Sequence, residues 1–410
     1  MNQELNMLQL VLAVGFTLVS GYMMAEETHD STVASAIKPY AHVETEAARA
    51  LVPFSIHGQS YIAVPQKSVM MPGKKVENLD GGDSSRATTD IYQIKGQTLS
   101  PVQSLPTQGA HWASFFSWHG QDFLSVATLR QGAYPDYEMS ADSHIFRWQG
   151  QQFEAVQTVP LTAAKFTSFA EIDGQLFVFF ATGDVMDSKQ PIPTNGRSMV
   201  MKYNVDTKQF DEVQRLPTHS GFGIQTFAIE GATYLGVVDA TTGTTIYRWD
   251  KKQFKPYQVL TQNMNDRELS FIQIDGKHYV ALTNIKNGTQ IFAWQGNKLV
   301  PVQMLQSGGS HRPTFYQNDQ GTWLFVSHYM TGTQQKPVVS TASSVYRWQN
   351  GQFAWVTDYP SSASPSTMVW SDASGAVYAG VANEASTTFD LKTNSTIYQL
   401  DLAKLLPAKK

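Results

Sequence analysis

Residues Thr244–Thr283 read TTIYRWDKKQFKPYQVLTQNMNDRELSFIQIDGKHYVALT. An apolar run, Ile246-Tyr-Arg-Trp249, is followed by a short polar turn and Phe254. Tyr257-Gln258, a polar connector, Phe271, an Asp275-Gly276 pair and Tyr279-Val280 complete the stretch. Alternating apolar residues on both sides of Asp-Gly are the signature of a β-hairpin, because Gly accepts the positive φ that the turn demands. The stretch therefore predicts short antiparallel strands, and its recurrence decides the fold.

The Gly of the hairpin turn recurs at Gly58, Gly120, Gly174, Gly231, Gly276, Gly321 and Gly375, each flanked by apolar residues. A second column begins at Ile91, Ile145, Val200, Ile246, Ile291, Val345 and Ile397. In its first six copies a turn and a large apolar residue follow, at Leu99, Phe153, Phe210, Phe254, Leu299 and Phe353. Gln stands four residues further on at Gln103, Gln157, Gln214, Gln258 and Gln303, with Thr357 in the sixth copy. Each unit thus holds four strands: A before the Gly turn, B after it, C the Ile-Tyr-Arg-Trp type, and D from Phe to Gln. Seven such units predict an all-β, seven-bladed β-propeller of four-stranded antiparallel blades. One blade cannot bury both faces of its sheet, whereas a ring of stacked blades does.

The last unit runs out after strand C. Tyr40-Ala-His-Val-Glu-Thr45 matches Phe153–Thr158 position by position, with Glu44 in the Gln column. Residues 40–45 are therefore expected to supply strand D of the last blade; Ala403–Leu406 is the rival. The expected organisation is a signal peptide at 1–25, a linker at 26–39 and the propeller at 40–410.

The signal peptide rests on Leu8–Ala25, an uncharged apolar run ended by Ala25 and followed by Glu26-Glu27. An uncleaved anchor is the alternative, and only then would the membrane be a partner. The chain has no cysteine, which excludes disulfides, thiol catalysis and Cys-based zinc sites. Export without cysteine suits a bacterial periplasmic or secreted protein. Net charge is −4, with no global basic footprint for nucleic acid.

The pattern IYRW…F…vQ.l…F..I.DG..Y…A resembles the EAR repeat, also called the EPTP repeat, of the leucine-rich glioma-inactivated proteins. The resemblance covers roughly residues 40–400 and is strongest at Ile145–Ala181 and Ile246–Leu282. It implies a seven-bladed propeller for extracellular ligand binding, with no catalytic residues to carry over.

Features that repeat in almost every blade read as scaffold. Trp148, Tyr203, Trp249, Trp294 and Trp348 should pack between blades, although a sugar-stacking platform has the same composition. The Gln column should tie neighbouring strands or blades, since an amide both donates and accepts. Asp173 and Asp275 serve hairpin geometry rather than calcium. Asn78–Asp83 is a weak calcium-loop candidate, and Asn287 and Asn394 begin chance-level sequons. His111, His219 and His311 fall in D-to-A connectors, where exposed histidines are the ordinary expectation and a three-His metal site the remote one. No catalytic residue, metal or cofactor is assigned.

Strand direction sharpens the search. A–B and C–D turns lie at one end of a blade, and B–C and D–A connectors at the other. The long variable loops therefore share one face, the expected site for a protein or surface-glycan partner. Its candidate residues are Met70, Met71, Lys74 and Lys75; Arg130, Tyr134, Asp136, Tyr137 and Met139; Asp184 and Met186; His311 and Arg312; and His328, Tyr329 and Met330. A propeller enzyme acting on glycans, as hydrolase or lyase, is the alternative, and a structural cell-envelope protein the third reading. Aromatic inner strands around Phe115, Phe169 and Phe271, short of acids, count against the enzyme.

Overall fold

The computed structural model describes residues 35–74, 76, 78–183, 197–333 and 336–405. The expected signal peptide, Lys75, Asp184 and Met186 lie outside the described residues. The strands assemble into seven four-stranded antiparallel sheets, and six run A-B-C-D in sequence order. Blade 4, for example, comprises Gly221–Ile229, Ala232–Asp239, Gly243–Trp249 and Phe254–Val259. Blade 6 carries an extra hairpin, Met330–Gly332 with Pro337–Val339, between its B and C strands. Blade 7 takes its D strand from the other end of the chain: Ile37–Val43 pairs antiparallel with Ser395–Leu400. Leu402–Lys404, which overlaps the rival segment at Ala403 and Lys404, is a single 3₁₀ turn.

The hairpins form as their composition requires. His57 and Gly58, Asp173 and Gly174, and Asp275 and Gly276 all have positive φ. That is the type I′ geometry whose twist matches a two-residue hairpin. No atom lies near a Cβ added at Gly58, Gly174 or Gly276, so backbone conformation alone selects glycine there. A strands of neighbouring blades meet through rings, Phe54 on Phe115 at 4.6 Å and Phe227 on Phe271 at 5.2 Å. The aromatics of strand C pack backward onto the previous blade's B strand. Trp148 meets Tyr61 at 5.8 Å, Trp249 meets Phe177 at 5.4 Å and Trp348 meets Tyr279 at 4.9 Å. This column is inter-blade packing.

The Gln column makes the clearest inter-blade bond. Gln103 Nε2 donates to the Phe153 carbonyl at 2.8 Å, and the Phe153 N–H donates to Gln103 Oε1 at 2.9 Å. The same two-pronged clasp joins Gln157 to Phe210, Gln214 to Phe254, Gln258 to Leu299 and Gln303 to Phe353. One side-chain amide thereby satisfies both backbone groups at the start of the next blade's outermost strand, an edge with no further strand to pair it. A β-bulge stands immediately before each Gln, as at Val156, where Ile145 pairs Gln157 and Phe146 pairs Ala155. A bulge bends its strand and re-aims the following side chain.

Register corrects the expected alignment of the closing strand. Ile397 pairs Ala41 and Tyr398 pairs Pro39, so the bulge falls at Tyr40. Ala41, not Glu44, occupies the Gln position, three residues earlier than the sequence match suggested. That match followed side-chain likeness along one strand, whereas register follows the bulge and the partner strand. With Thr357 at the same place in blade 6, both junctions of blade 7 lack a Gln clasp. Replacing Gln157 by Ala leaves a buried N–H and C=O of Phe210 unpaired. We expect Gln157→Ala to lower unfolding free energy by about 2–4 kcal/mol in urea titration.

Candidate functional site

The loop face is uneven around the axis. B–C connectors are short in blade 4 (240–242) and blade 5 (285–287), and long in blades 1, 2, 6 and 7. The long connectors are packed rather than loose. Ala47, Val76, Leu79, Val339, Ala385 and Leu391 form an apolar cluster with Met70, Tyr329 and Met330 against it. Leu129, Tyr137, Met139 and Ala163 form a second cluster over blade 2.

The thirteen described candidate interface residues divide by burial. Lys74, Tyr134 and Asp136 are exposed; Met70, Met71, His328, Tyr329 and Met330 are half-buried; Arg130, Tyr137, Met139, His311 and Arg312 are buried. Arg130 cross-braces the loops of blades 1 and 2. Its guanidinium stacks 3.6 Å from the Tyr137 ring centre and donates to Ser84 Oγ (3.1 Å), Ser68 Oγ (3.2 Å) and Asp80 Oδ1 (3.2 Å). The Tyr137 hydroxyl donates to the Asp80 carbonyl at 2.7 Å. In the Asn78–Asp83 loop, the Asp80 carboxylate is thus engaged by Arg130 and, at 3.4 Å, by Lys67.

At the centre of this face lies a cavity of about 260 Å³. Among the described residues, Arg49, Lys67, Arg130, Lys165, Arg267 and Lys286 line it, with one lining carboxylate, Asp80. Three of these cations belong to a single column of the repeat, at or just before the start of strand A. Arg49, His111, Lys165, Phe222, Arg267 and His311 hold that position in blades 1 to 6. The propeller brings the column to the axis, where blades converge. It was visible in the sequence once the A strands were aligned, but its polar and basic residues look unrelated until the ring closes.

His111 and His311 are not exposed connector residues, as composition suggested, but buried members of the A strands Gly109–Trp118 and Ser310–Asn318. The A strands begin earlier than their apolar patterns indicate, because the axial ends remain in the β-ladder. Phe222 stands between the two rings, 5.8 Å from His111 and 5.6 Å from His311. His219 is exposed. Burial, with Arg49 nearby, holds both imidazoles well below the usual histidine range. His111 Nδ1 lies 2.7 Å from the Lys165 carbonyl and His311 Nδ1 lies 2.8 Å from the Pro365 carbonyl. A carbonyl only accepts, so each Nδ1 carries the proton and each Nε2 is a lone-pair acceptor.

Beneath the cavity, two ion networks span blades. Glu384 of blade 7 bonds Arg49 and Lys67 (2.5 Å) and accepts from the Tyr329 hydroxyl of blade 6 at 2.8 Å. Burial opposes its ionisation, but Lys67 and Arg49 outweigh burial and keep the carboxyl below its ordinary range. Glu268 of blade 5 bonds Arg312 of blade 6, whose guanidinium lies 4.0 Å over the Trp112 ring of blade 2. Burial pushes the Glu268 carboxyl up to about 7 despite Arg312. Among the described residues, no cluster of three or more His, Asp or Glu has metal-site geometry.

Two predictions follow from this chemistry. Glu384→Gln leaves Arg49 and Lys67 buried without their carboxylate, so equilibrium urea unfolding should show a loss of about 3–5 kcal/mol. His311 is neutral in the fold, so the unfolded chain takes up a proton below pH 6.5 that the native state refuses. Its contribution to stability is complete above that pH and is lost on acidification. His311→Gln should make the pH dependence of unfolding free energy shallower there, by up to about 1.4 kcal/mol per pH unit.

Comparisons with known proteins agree with the repeat and the ring. A family profile described as the EPTP domain matches residues 209–250, from strand D of blade 3 to strand C of blade 4. The human thrombospondin-type laminin G domain and EAR repeat-containing protein is 24% identical over 162 residues, 39% of this chain and 23% of that protein. Mouse leucine-rich repeat LGI family member 2 is 24% identical over 178 residues, 41% of this chain and 32% of that protein. The match therefore spans less than a third of either curated relative. Among solved structures, a putative 6-phosphogluconolactonase of Bacteroides uniformis aligns with TM-score 0.57 at 12% identity, covering 85% of this chain and 94% of that one. The periplasmic gluconolactonase of Pseudomonas aeruginosa aligns with TM-score 0.52 at 15% identity, covering 80% and 95%. These two likenesses concern the fold alone. Seven blades built on one repeat make the chain a seven-bladed β-propeller, and its repeats resemble the EPTP and EAR repeats of these relatives.

Proposed function

We propose that this propeller is an exported, non-enzymatic binding module that engages a protein or a surface glycan through its long-loop face. The observation that carries the reading is where the repeats depart from one another. Turns at one end of the ring are short and alike, while at the other end the connectors of blades 1, 2, 6 and 7 are long, different and internally packed. Loops held by their own apolar cluster and by Arg130 lose little freedom when a partner docks, which favours affinity. Arg130, Tyr137 and Met139 hold the rim in shape, and Lys74, Tyr134 and Asp136 are the exposed residues available to touch a partner.

The enzymatic reading retains one observation, the Glu268 carboxyl held near 7 below the cavity. A perturbed carboxyl in a cleft is a recognised catalytic signal. Here the Arg312 guanidinium is bonded to it and stacked on Trp112, which supports a pair that locks blades together. Glycoside hydrolysis would also call for a second carboxyl across the scissile bond.

The decisive experiment is capture of a partner by the mature chain, compared with a Lys74→Ser/Tyr134→Ser/Asp136→Ser variant. These side chains are exposed, so the fold should survive. The variant should bind the captured partner at least about tenfold more weakly by titration, as expected when exposed aromatic and charged anchors are lost. A Lys251→Ser/Lys252→Ser control on the opposite face should bind normally. Undiminished affinity in the rim variant removes these loops as the site.

A further inference from the structure

We propose that Ile37–Val43, the strand that closes blade 7, is a releasable strap, and that the strand edge beneath it is a docking site for an extended peptide segment of the same apolar pattern. The site lies on the outer edge of the ring and not among the long loops, so it goes beyond the binding-module reading.

The first argument is attachment. In six blades strand D follows strand C through a short turn, 96–97 in blade 1 and 149–152 in blade 2. Such a turn keeps the two strands side by side even when their ladder opens. Ile37–Val43 pairs with Ser395–Leu400 with no turn between them. The edge of Ser395–Leu400 therefore already holds its neighbour as an edge holds a separate peptide, through ladder hydrogen bonds and alternate side chains.

The second argument is that this strand lacks the anchors of its counterparts. In blades 2, 4 and 6 the C–D ladder sets Trp beside Phe, with ring centres 5.1, 5.0 and 4.9 Å apart. In blade 7 the same pair is Leu400 beside Ile37. Aromatic pairs across a ladder stabilise it beyond their area burial, a gain that an aliphatic pair does not supply. The Gln clasp is missing too. Each clasp grips the residue at the Phe position of the following blade, which in blade 7 is Ile37. Thr357 stands in the gripping place and donates its hydroxyl to the Asp358 carbonyl at 3.1 Å. No Gln amide therefore holds the edge peptide groups of Ile37.

The third argument is that release has a defined limit. Beyond the strand, Thr45 Oγ1 donates to the Thr393 carbonyl at 2.7 Å and the Ala47 N–H donates to the Leu391 carbonyl at 2.9 Å. Ala47, Ala48, Ala50 and Leu51 are buried. Glu44, exposed between these anchors and the strand, is the hinge. The Glu384–Arg49–Lys67 network that seals blade 7 at the axis includes no residue of the strand. Strands A to C of blade 7 therefore stay in place when the strap leaves. What opens is one ladder, with the Asp401 N–H to Ala36 carbonyl bond at its end (2.8 Å) and Tyr40 against Tyr378 (4.9 Å) within it. Local openings of this kind run below the global unfolding free energy. The vacated edge presents unpaired N–H and C=O groups and the apolar seats of Ile37, Ala41 and Val43, the buried residues of the strand. An incoming segment that is apolar at those positions restores both.

The test combines hydrogen exchange of the full chain, read by mass spectrometry, with titration of a fluorescent peptide of residues 35–45. Amides of 37–43 and 395–400 should exchange at least about tenfold faster than those of the blade 2 pair, Ser140–Trp148 with Phe153–Thr162, at a rate that low urea leaves unchanged. Lys38 and Gln399 are exposed cross-strand partners, at a spacing that a disulfide spans, and the chain has no cysteine of its own. Oxidation of a Lys38→Cys/Gln399→Cys variant should slow exchange of both strands at least about tenfold, and reduction should restore it. The peptide should bind the unmodified chain saturably, and the oxidised variant should exclude it. The tethered strap competes at an effective concentration of about a millimolar, so the titration runs through that range. A peptide carrying Ile37→Asp and Val43→Asp should not bind, since a charge in an apolar seat is costly. Protection equal to that of blade 2, exchange of all seven blades at one rate, or a disulfide without effect each overturns the proposal. So does a peptide that fails to bind, or that binds the oxidised variant equally well. The rim residues take no part in the measurement, so its failure leaves the rim reading standing.

Discussion

Everything in this molecule depends on closing a ring whose first and last strands share one sheet. Seven junctions must be satisfied together, because an open ring exposes two apolar blade faces at once. Five junctions carry the Gln clasp, one amide doing the work of a missing neighbour strand at the next blade's edge. The two junctions of blade 7 carry Thr357 and Ala41 at that position instead. There the chain uses side-chain hydroxyls and buried charge. The Tyr359 hydroxyl bonds Thr367 Oγ1 at 2.7 Å, Ser366 Oγ donates to the Arg49 carbonyl at 2.8 Å, and Glu384 draws together Arg49, Lys67 and Tyr329. A buried ion pair adds little over apolar packing, but breaking it is costly. Such a network suits a seam that must form in one register.

The same closure gathers charge on the axis. A position that is one residue per blade in the sequence becomes a ring of residues around the funnel. Arg49, Lys165 and Arg267 come from blades 1, 3 and 5, and His111 and His311 from blades 2 and 6. Burial then neutralises the histidines, raises Glu268 and stacks Arg312 on Trp112. The electrostatics of the centre is therefore a property of the ring, not of any blade.

Legibility followed periodicity. The hairpin Gly, the C-strand aromatics and the Gln were readable because each recurs in most blades, demanded by local geometry or by the neighbouring blade. Ala41 was not, because a strand borrowed from the other terminus takes its register from Ile397 and Tyr398, and Tyr40 is consumed in a bulge. Arg130, Tyr137 and Met139 look like exposed loop anchors by type, yet they are the braces of their own loops. Residue type reports capacity for contact and says nothing of which side of the loop the side chain takes.

The sequence by itself determined the number of blades, the strands of each, the turn chemistry and the closing role of the N-terminal segment. All of these rest on short-range patterns: alternation of period two, glycine at positive φ, and an amide at a fixed offset from a buried phenylalanine. Only the tertiary structure decided which blade each Gln grips, how blade 7 is sealed and that Arg49, His111, Lys165, Arg267 and His311 line one cavity. Those facts depend on distances between residues far apart in the chain, and such distances exist only once the ring has closed.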